Sequence, residues 1–157
     1  MHPNVLKVTA VANELGLAVE TRMFPEGTRT AEDAARAVGC DVGQIVKSLV
    51  FILDGAPVMA LVAGSNRLDE QRLADALGGD EVERADADAV RAATGFPIGG
   101  VPPFGHATRL QTAVDEDLLA YEEVWAAAGT PNDVFAVAPT DLVRATGGTI
   151  AKLRAGT

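Results

Sequence analysis

Two hydrophobic periods alternate along this chain, one near 3.6 residues and one near 2, and their order predicts the elements. Val5, Val8, Val11, Ala12 and Leu15 recur at helical spacing, so a helix is expected over 2–15 with Gly16 as its stop. Residues 17–24 alternate as a strand does, and Pro25-Glu26-Gly27 reads as a turn. Thr30 reads as an N-cap. Asp33, three residues on, makes a variant capping box for a helix through Ala34, Ala35, Ala37 and Val38 that Gly39 ends. Asp41 is placed to cap a short turn feeding an apolar run, and Asp54-Gly55 is a hairpin signal between 49–53 and 57–63. A helix over 68–77 closes on Gly78-Gly79, Val82 falls in a short strand, and a second short helix over 86–93 is closed by Gly95. Residues 95–106 show no period. Strands are expected over 108–114 and 122–128, with the acidic turn Asp115-Glu116-Asp117 between them. The turn 129–133 leads into a strand over 134–138, and a helix follows over 140–147. Hairpins interspersed with short helices predict an α+β fold on a mixed sheet, not a doubly wound parallel sheet.

One position breaks the pattern. In Gln44-Ile45-Val46-Lys47-Ser48-Leu49-Val50-Phe51-Ile52-Leu53, seven of ten residues are β-branched, aliphatic or aromatic, so the segment reads as a core strand. Lys47 sits in the middle of it. The chain has three lysines (Lys7, Lys47 and Lys152) against ten arginines, so lysine is not its usual cation. Two readings stay open: a strand-end lysine with its ammonium in water, or a compact cation placed for chemistry.

Composition narrows the function classes. With 157 residues, 48% hydrophobic and 22% charged, a single domain over 1–157 with a real core is expected. No apolar run approaches the roughly 20 residues of a membrane span. Met1-His2-Pro3-Asn4 lacks the basic and apolar regions of an export signal, so a cytoplasmic protein without membrane association is expected. Cys40 is the only cysteine, which excludes an internal disulfide and suits a reducing compartment. Its simplest reading is a small buried side chain, not a nucleophile. Two histidines and one cysteine, far apart in sequence, make no credible metal site, and no cofactor is expected. Thirteen basic against 22 acidic residues give a net charge of −9. That argues against DNA or a broad nucleic-acid surface, and leaves room for a local grip on one or two phosphates.

The aperiodic stretch 94–106, Thr94-Gly95-Phe96-Pro97-Ile98-Gly99-Gly100-Val101-Pro102-Pro103-Phe104-Gly105-His106, holds four glycines and three prolines in thirteen residues. Glycine lets backbone N–H groups approach a ligand, and proline stiffens the loop that carries them. Such a loop suits an oxyanion or a carbonyl dipole, though an ordinary long connection has the same composition. It is no Walker motif, because no Gly-Lys-Ser/Thr follows.

Together the Lys47 strand and this loop resemble the YbaK/ProX-type aminoacyl-tRNA editing domains, stand-alone or inserted in prolyl-tRNA synthetases. The resemblance also takes in Thr30-Ala31-Glu32-Asp33-Ala34-Ala35, Leu61-Val62-Ala63-Gly64 and Asp141-Leu142-Val143-Arg144-Ala145-Thr146-Gly147. It implies a mixed, strongly curved sheet forming a partial barrel surrounded by helices. It implies hydrolysis of the ester joining a wrong amino acid to the 3′ end of a mischarged tRNA, usually proline tRNA. A prolyl-tRNA synthetase is then a candidate partner. Lys47 matches the functional lysine of that family, and Gly99 and Pro103 match the ends of its Gly-x-x-x-Pro loop, with Gly100 between them. No residue role is carried over to His106.

The residue types suit that chemistry. No Ser-His-Asp set is legible, and an aminoacyl ester is already activated. A positioned water, a cation and loop amides suffice. Arg22, Arg29 and Arg67 are candidates for phosphate or ribose contacts, with solvated surface charges as the competing reading. Gly64, Ser65 and Asn66 follow a strand end and are candidates to line the pocket; a turn role competes. Phe96 and Val101 are expected to help set pocket size, although Phe96 also fits a core position. His106 is a candidate proton relay or a satisfied loop histidine. Two rivals to a hydrolase remain: a non-catalytic binding module for an aminoacyl-tRNA end or small ligand, and an interaction domain for a synthetase.

Overall fold

A computed structural model of the chain describes residues 1–24 and 30–156. The expected turn at 25–27 and Arg29 lie outside the described residues. The elements run α1 (Pro3–Glu14), β1 (Thr21–Met23), α2 (Ala31–Val38), β2 (Val46–Leu53), β3 (Ala56–Ala63), α3 (Glu70–Leu77), β4 (Val82–Arg84), α4 (Ala87–Thr94), β5 (Gln111–Asp115), β6 (Val124–Ala127), β7 (Asp133–Val137), α5 (Pro139–Thr146) and β8 (Thr149–Ala151). Short 3-10 turns at Val42–Gln44 and Glu116–Ala120 precede β2 and follow β5.

The local signals act as their chemistry requires. Thr30 accepts a hydrogen bond from the Asp33 N–H at 3.0 Å and starts α2. Asp86 does the same for Ala89 at 2.8 Å and starts α4. Asp54 and Gly55 turn the β2–β3 hairpin with φ of 50° and 85°, the two-residue turn that matches strand twist.

The α+β architecture with mixed pairing is present. The sheet is two open pieces, one ordered β4-β2-β3-β5-β8 and one ordered β1-β7-β6. In the larger piece β2 pairs antiparallel with β3 and β4, while β3–β5 and β5–β8 are parallel. A single parallel bridge, Ile45 to Trp125, joins the two pieces. Three expected strands shrink, the one over 122–128 to β6. Residues 17–24 yield only β1, because β7 pairs no further than Thr21–Met23 and the Leu17 N–H returns to the Ala12 carbonyl at 2.8 Å. The strand expected from 108 begins at Gln111, where pairing with Val58 begins. β8 was not anticipated.

β3 lies at the centre, and Val58 to Ala63 are all buried. One face of the larger sheet carries Val46, Val50, Met59, Leu61 and Val114 into a core with α1, α4, α5, Phe96 and the smaller sheet. The opposite face carries Phe51, Leu53, Val58, Ala60 and Val62 against Leu73, Ala74 and Leu77 of α3. A third cluster seals the junction: Ala34 and Ala35 of α2 against Ile45, Trp125 and Val134.

Gly64, just past β3, is held where a Cβ would stand 2.4 Å from the Val42 carbonyl oxygen. Gly64→Ala is expected to lose about 1–3 kcal/mol through overpacking against backbone. Gly55→Ala, whose Cβ would meet nothing within 4 Å, should lose only about 1 kcal/mol, from its positive φ. Urea unfolding of the two variants checks the order; a Gly64→Ala protein as stable as wild type would contradict it.

Candidate functional site

β2 is covered on one edge and half open on the other. The Gly64 N–H donates to the Ile45 carbonyl at 2.7 Å, and this fixes the alternation of the ladder. Ile45, Lys47 and Leu49 turn their peptide groups toward β3, while Val46, Ser48 and Val50 turn theirs to the far edge. On that edge β4 pairs only with Phe51 to Leu53, and the bridge to β6 falls at Ile45. Ser48 lies between, in a gap where the two sheets diverge.

A cleft of about 850 Å³ fills the gap. Its walls come from β2, the 64–68 turn, α2, the 98–101 part of the loop, and β6. Lys47, Gly99 and Val101 all line it, although Lys47 and Gly99 are 52 positions apart in sequence. Alternation puts Lys47 on the α3 side of β2 and the loop on the other side. The open edge lets one cleft reach both.

Lys47 is half-buried and donates to the Asn66 carbonyl oxygen. An ammonium carries three N–H bonds, and among the described residues only this one finds an acceptor. Burial pushes its pKa below the ordinary lysine value, and the carboxylates of Glu32 and Asp115 oppose the shift. Arg67 and Arg84 add cations to the lining, and Glu32 and Glu70 add carboxylates.

The other sequence candidates separate. Gly64, Ser65 and Asn66 line the cleft. Arg22 lies outside the lining, with its guanidinium 4.9 Å from the ring centre of Trp125, which does line it. Phe96 is fully buried in the core beneath the loop, with the Lys7 ammonium 5.3 Å from its ring centre. Gly100 and Pro103 are buried. The Gly100 N–H donates to Pro97 at 3.0 Å, and a Cβ there would meet the Thr130 Cα at 2.8 Å, so Gly100 seats the loop on the β6–β7 turn. His106 Nε2 lies 2.6 Å from the Pro102 carbonyl oxygen, tying the loop to itself away from the cleft. Burial holds its pKa below the usual imidazole value against that hydrogen bond. The Cys40 thiol is pushed up by burial and by Asp41 and Glu123, as suits an inert side chain.

Sequence reasoning missed two groups. Ser48 lines the cleft, and its buried hydroxyl has no partner among the described residues. Asp115, read only as part of an acidic turn, is a fully buried carboxylate at the end of β5. An adjacent Ser after the strand lysine was a usable signal for the first; nothing local marked the second. Among the described residues no group of three or more His, Cys, Asp and Glu could hold a metal ion, and no helix is long and apolar enough to cross a membrane.

The family model for the aminoacyl-tRNA editing domain matches residues 25–145. The proline–tRNA ligase of Maridesulfovibrio salexigens is 32% identical over 131 residues, covering 81% of this chain and 22% of the ligase. The chain thus spans about a fifth of the length of that relative. A candidate Cys-tRNA(Pro)/Cys-tRNA(Cys) deacylase of Enterococcus faecalis is 30% identical, covering 83% of this chain and 80% of the relative. A crystal structure described as a candidate trans-editing enzyme for prolyl tRNA synthetase superposes with a TM-score of 0.94 at 44% identity, covering 99% of each chain.

The Lys47 shift has a stability consequence. A folded pKa below the unfolded one means the unfolded chain holds this proton more tightly, so stability rises with pH between the two values. At neutral pH the charged, half-buried lysine therefore opposes folding. Lys47→Met should resist urea better than wild type near neutrality, with the gap narrowing as pH climbs toward the ordinary value of 10.5. A variant less stable than wild type at neutral pH would show that Lys47 supports the fold instead.

Proposed function

The chain belongs to the aminoacyl-tRNA editing domain family, and on that premise we propose that it is a trans-editing hydrolase acting on the 3′ end of mischarged tRNA in the cytoplasm. The observation that carries the reading is a half-buried lysine and a glycine-proline loop on opposite walls of one cleft at an open strand edge. The 157 residues are read as one editing unit. The named relatives support proline tRNA as the carrier, with a small non-cognate amino acid, and a prolyl-tRNA synthetase as working partner.

The chemistry asks little of the protein. Water adds to the ester carbonyl, a tetrahedral oxyanion forms, and the bond from carbonyl carbon to ribose oxygen breaks. The ribose oxygen leaves as a hydroxyl with one of the water's protons, the amino acid leaves as its carboxylate, and the second proton passes to solvent. Lys47 supplies a compact positive charge at the phosphate and ester end. Its two uncommitted N–H donors are free for substrate oxygens. The Gly99 and Val101 amides, which no protein hydrogen bond engages among the described residues, are offered to the oxyanion. The Ser48 hydroxyl and Ser65, which line the cleft, are assigned to the ribose or amino-acid end. Arg22, Arg29 and Arg67 are assigned to the flanking phosphates.

Single-turnover deacylation of proline tRNA charged with alanine, cysteine, serine, threonine or α-aminobutyrate tests the reading. Lys47→Ala should lose about 10²–10³ in rate while folding normally. Lys47→Arg should also be impaired, because a planar fork does not replace a compact ammonium in a walled cleft. Full activity in Lys47→Ala would remove Lys47 from the mechanism, and a wild-type protein that binds mischarged tRNA without deacylating it would hand the site to the binding-module reading.

Binding should depend only weakly on salt. With a net charge of −9 and few cations in the cleft, few phosphates are neutralised. The slope of log affinity against log salt should be shallow, about −1 to −3. A slope several times steeper would point to contacts along the body of the tRNA.

A further inference from the structure

The side of the cleft away from the loop contains a polar network that the reaction does not use directly. The Asp115 carboxylate is 0% exposed. Its Oδ2 accepts from the Ala63 N–H at 3.1 Å and from Asn66 Nδ2 at 2.9 Å, and its Oδ1 accepts from the Asp117 N–H at 3.1 Å. Asn66 Nδ2 also donates to Asp117 Oδ2 at 2.7 Å, so its two hydrogens are both committed. Arg154 Nη1 donates to both Asp117 oxygens at 3.0 and 3.1 Å. The turn after β3 is thus held from beneath. The atom it presents to the cleft is the Asn66 carbonyl oxygen, the acceptor of Lys47.

Among the described residues no other hydrogen bond or ion pair fixes the ammonium in place. No carboxylate lies within 4.0 Å of Lys47 among the described residues, and a lysine stem is flexible enough to sample many positions. We propose that Asn66 and Asp115 are positioning residues for Lys47: Asp115 anchors the Asn66 side chain, and the Asn66 carbonyl thereby holds the ammonium at one point on the cleft wall. The proposal rests on the reading of Lys47 as the electrostatic group of the editing site. It also assigns Asn66 a bracing role, since its side chain is turned inward to two carboxylates and away from a substrate.

The Asp115 charge has a second consequence. A plain structural tie between β3 and β5 would need only an acceptor for the Ala63 N–H, which an amide oxygen provides. A buried carboxylate also favours the charged form of the nearby lysine, against the burial that disfavours it. Among the described residues Glu32 from α2 and Asp115 from β5 act on the Lys47 charge; Arg67 on the turn, Glu70 at the start of α3 and Arg84 of β4 share the cleft lining, and Asp117 with Arg154 lies behind the turn.

The test uses the full chain with two variants, Asp115→Asn and Asn66→Ala. One readout is single-turnover deacylation with half-saturation by tRNA measured separately. The other is the NMR titration of the lysine Cε signals, which the presence of only three lysines makes simple to assign. Both variants should lose about 10- to 100-fold in rate, the range for removing a partner that orients a functional group, with half-saturation unchanged. In Asp115→Asn the Lys47 midpoint should also move to lower pH, while Lys7 and Lys152 stay put. A folded Asp115→Asn protein with wild-type rate and wild-type Lys47 titration overturns the proposal. Should Asp115→Asn fail to fold, Asn66→Ala decides alone, because it keeps both backbone bonds to Asp115: slowed turnover supports the bracing, and wild-type turnover ends it. If wild type itself deacylates no mischarged tRNA, the editing reading falls, and the lysine titration in Asp115→Asn still decides whether Asp115 acts on Lys47.

Discussion

The half-covered edge of β2 is the constraint on which the rest of the structure depends. One edge of the strand pairs with β3 along its whole length. The other is paired by β4 over Phe51–Leu53 and bridged to β6 at Ile45. Between those points the backbone has no strand partner among the described residues, and an uncovered edge must be managed or used. Here α2, the 98–101 loop and β6 wall the gap without filling it. The division of the sheet into two pieces is what creates the cleft. Continuous pairing of β2 with β6 would close it and leave Lys47 a buried charge with nowhere to act.

The charge distribution follows the same economy of scale. The whole chain is strongly acidic, yet the cleft lining holds three cations against two carboxylates. The field is useful only at short range, because salt screens anything beyond about 8–10 Å. Such a cleft suits a grip on the end of a ligand, not along a surface. Lys47 is placed where this is most effective. Burial strengthens its interaction with any anion that enters, and Glu32 and Asp115 favour its charged form against that burial.

Much of the fold was legible because its signals are local. Thr30, Asp86 and Asp54-Gly55 act within a few residues of themselves, so cap and hairpin chemistry found α2, α4 and the β2–β3 turn. Lys47 stood out because a charge in an apolar run is visible one residue at a time. The division into two sheets was not legible, since it depends on where β4 and β6 stop pairing. β8 was hidden because its three residues form a strand only beside β5. Asp115 was hidden for a similar reason: its partners Ala63 and Asn66 lie 52 and 49 positions away, and in sequence it is one acid in an acidic turn. Phe96 and Gly100 looked like loop residues near a ligand, and the composition could not tell a residue that faces the cleft from one that seats the loop.

That last distinction explains how the loop is built. Gly99 and Val101 face the cleft, while their neighbours hold them there. Phe96 anchors one end in the core. Gly100 packs on Thr130 so closely that a methyl group would not fit. Phe104 packs near Phe135 with ring centres 5.7 Å apart, and His106 binds the Pro102 carbonyl. Each contact removes freedom that binding would otherwise have to remove, so the amides are ordered before a ligand arrives. The lysine on the opposite wall is treated alike, with its acceptor carbonyl fixed by a carboxylate beneath it. Both walls therefore follow one rule. The group that faces the cleft is a backbone amide or a single ammonium, and its position is set by buried residues behind it that an incoming substrate need never touch.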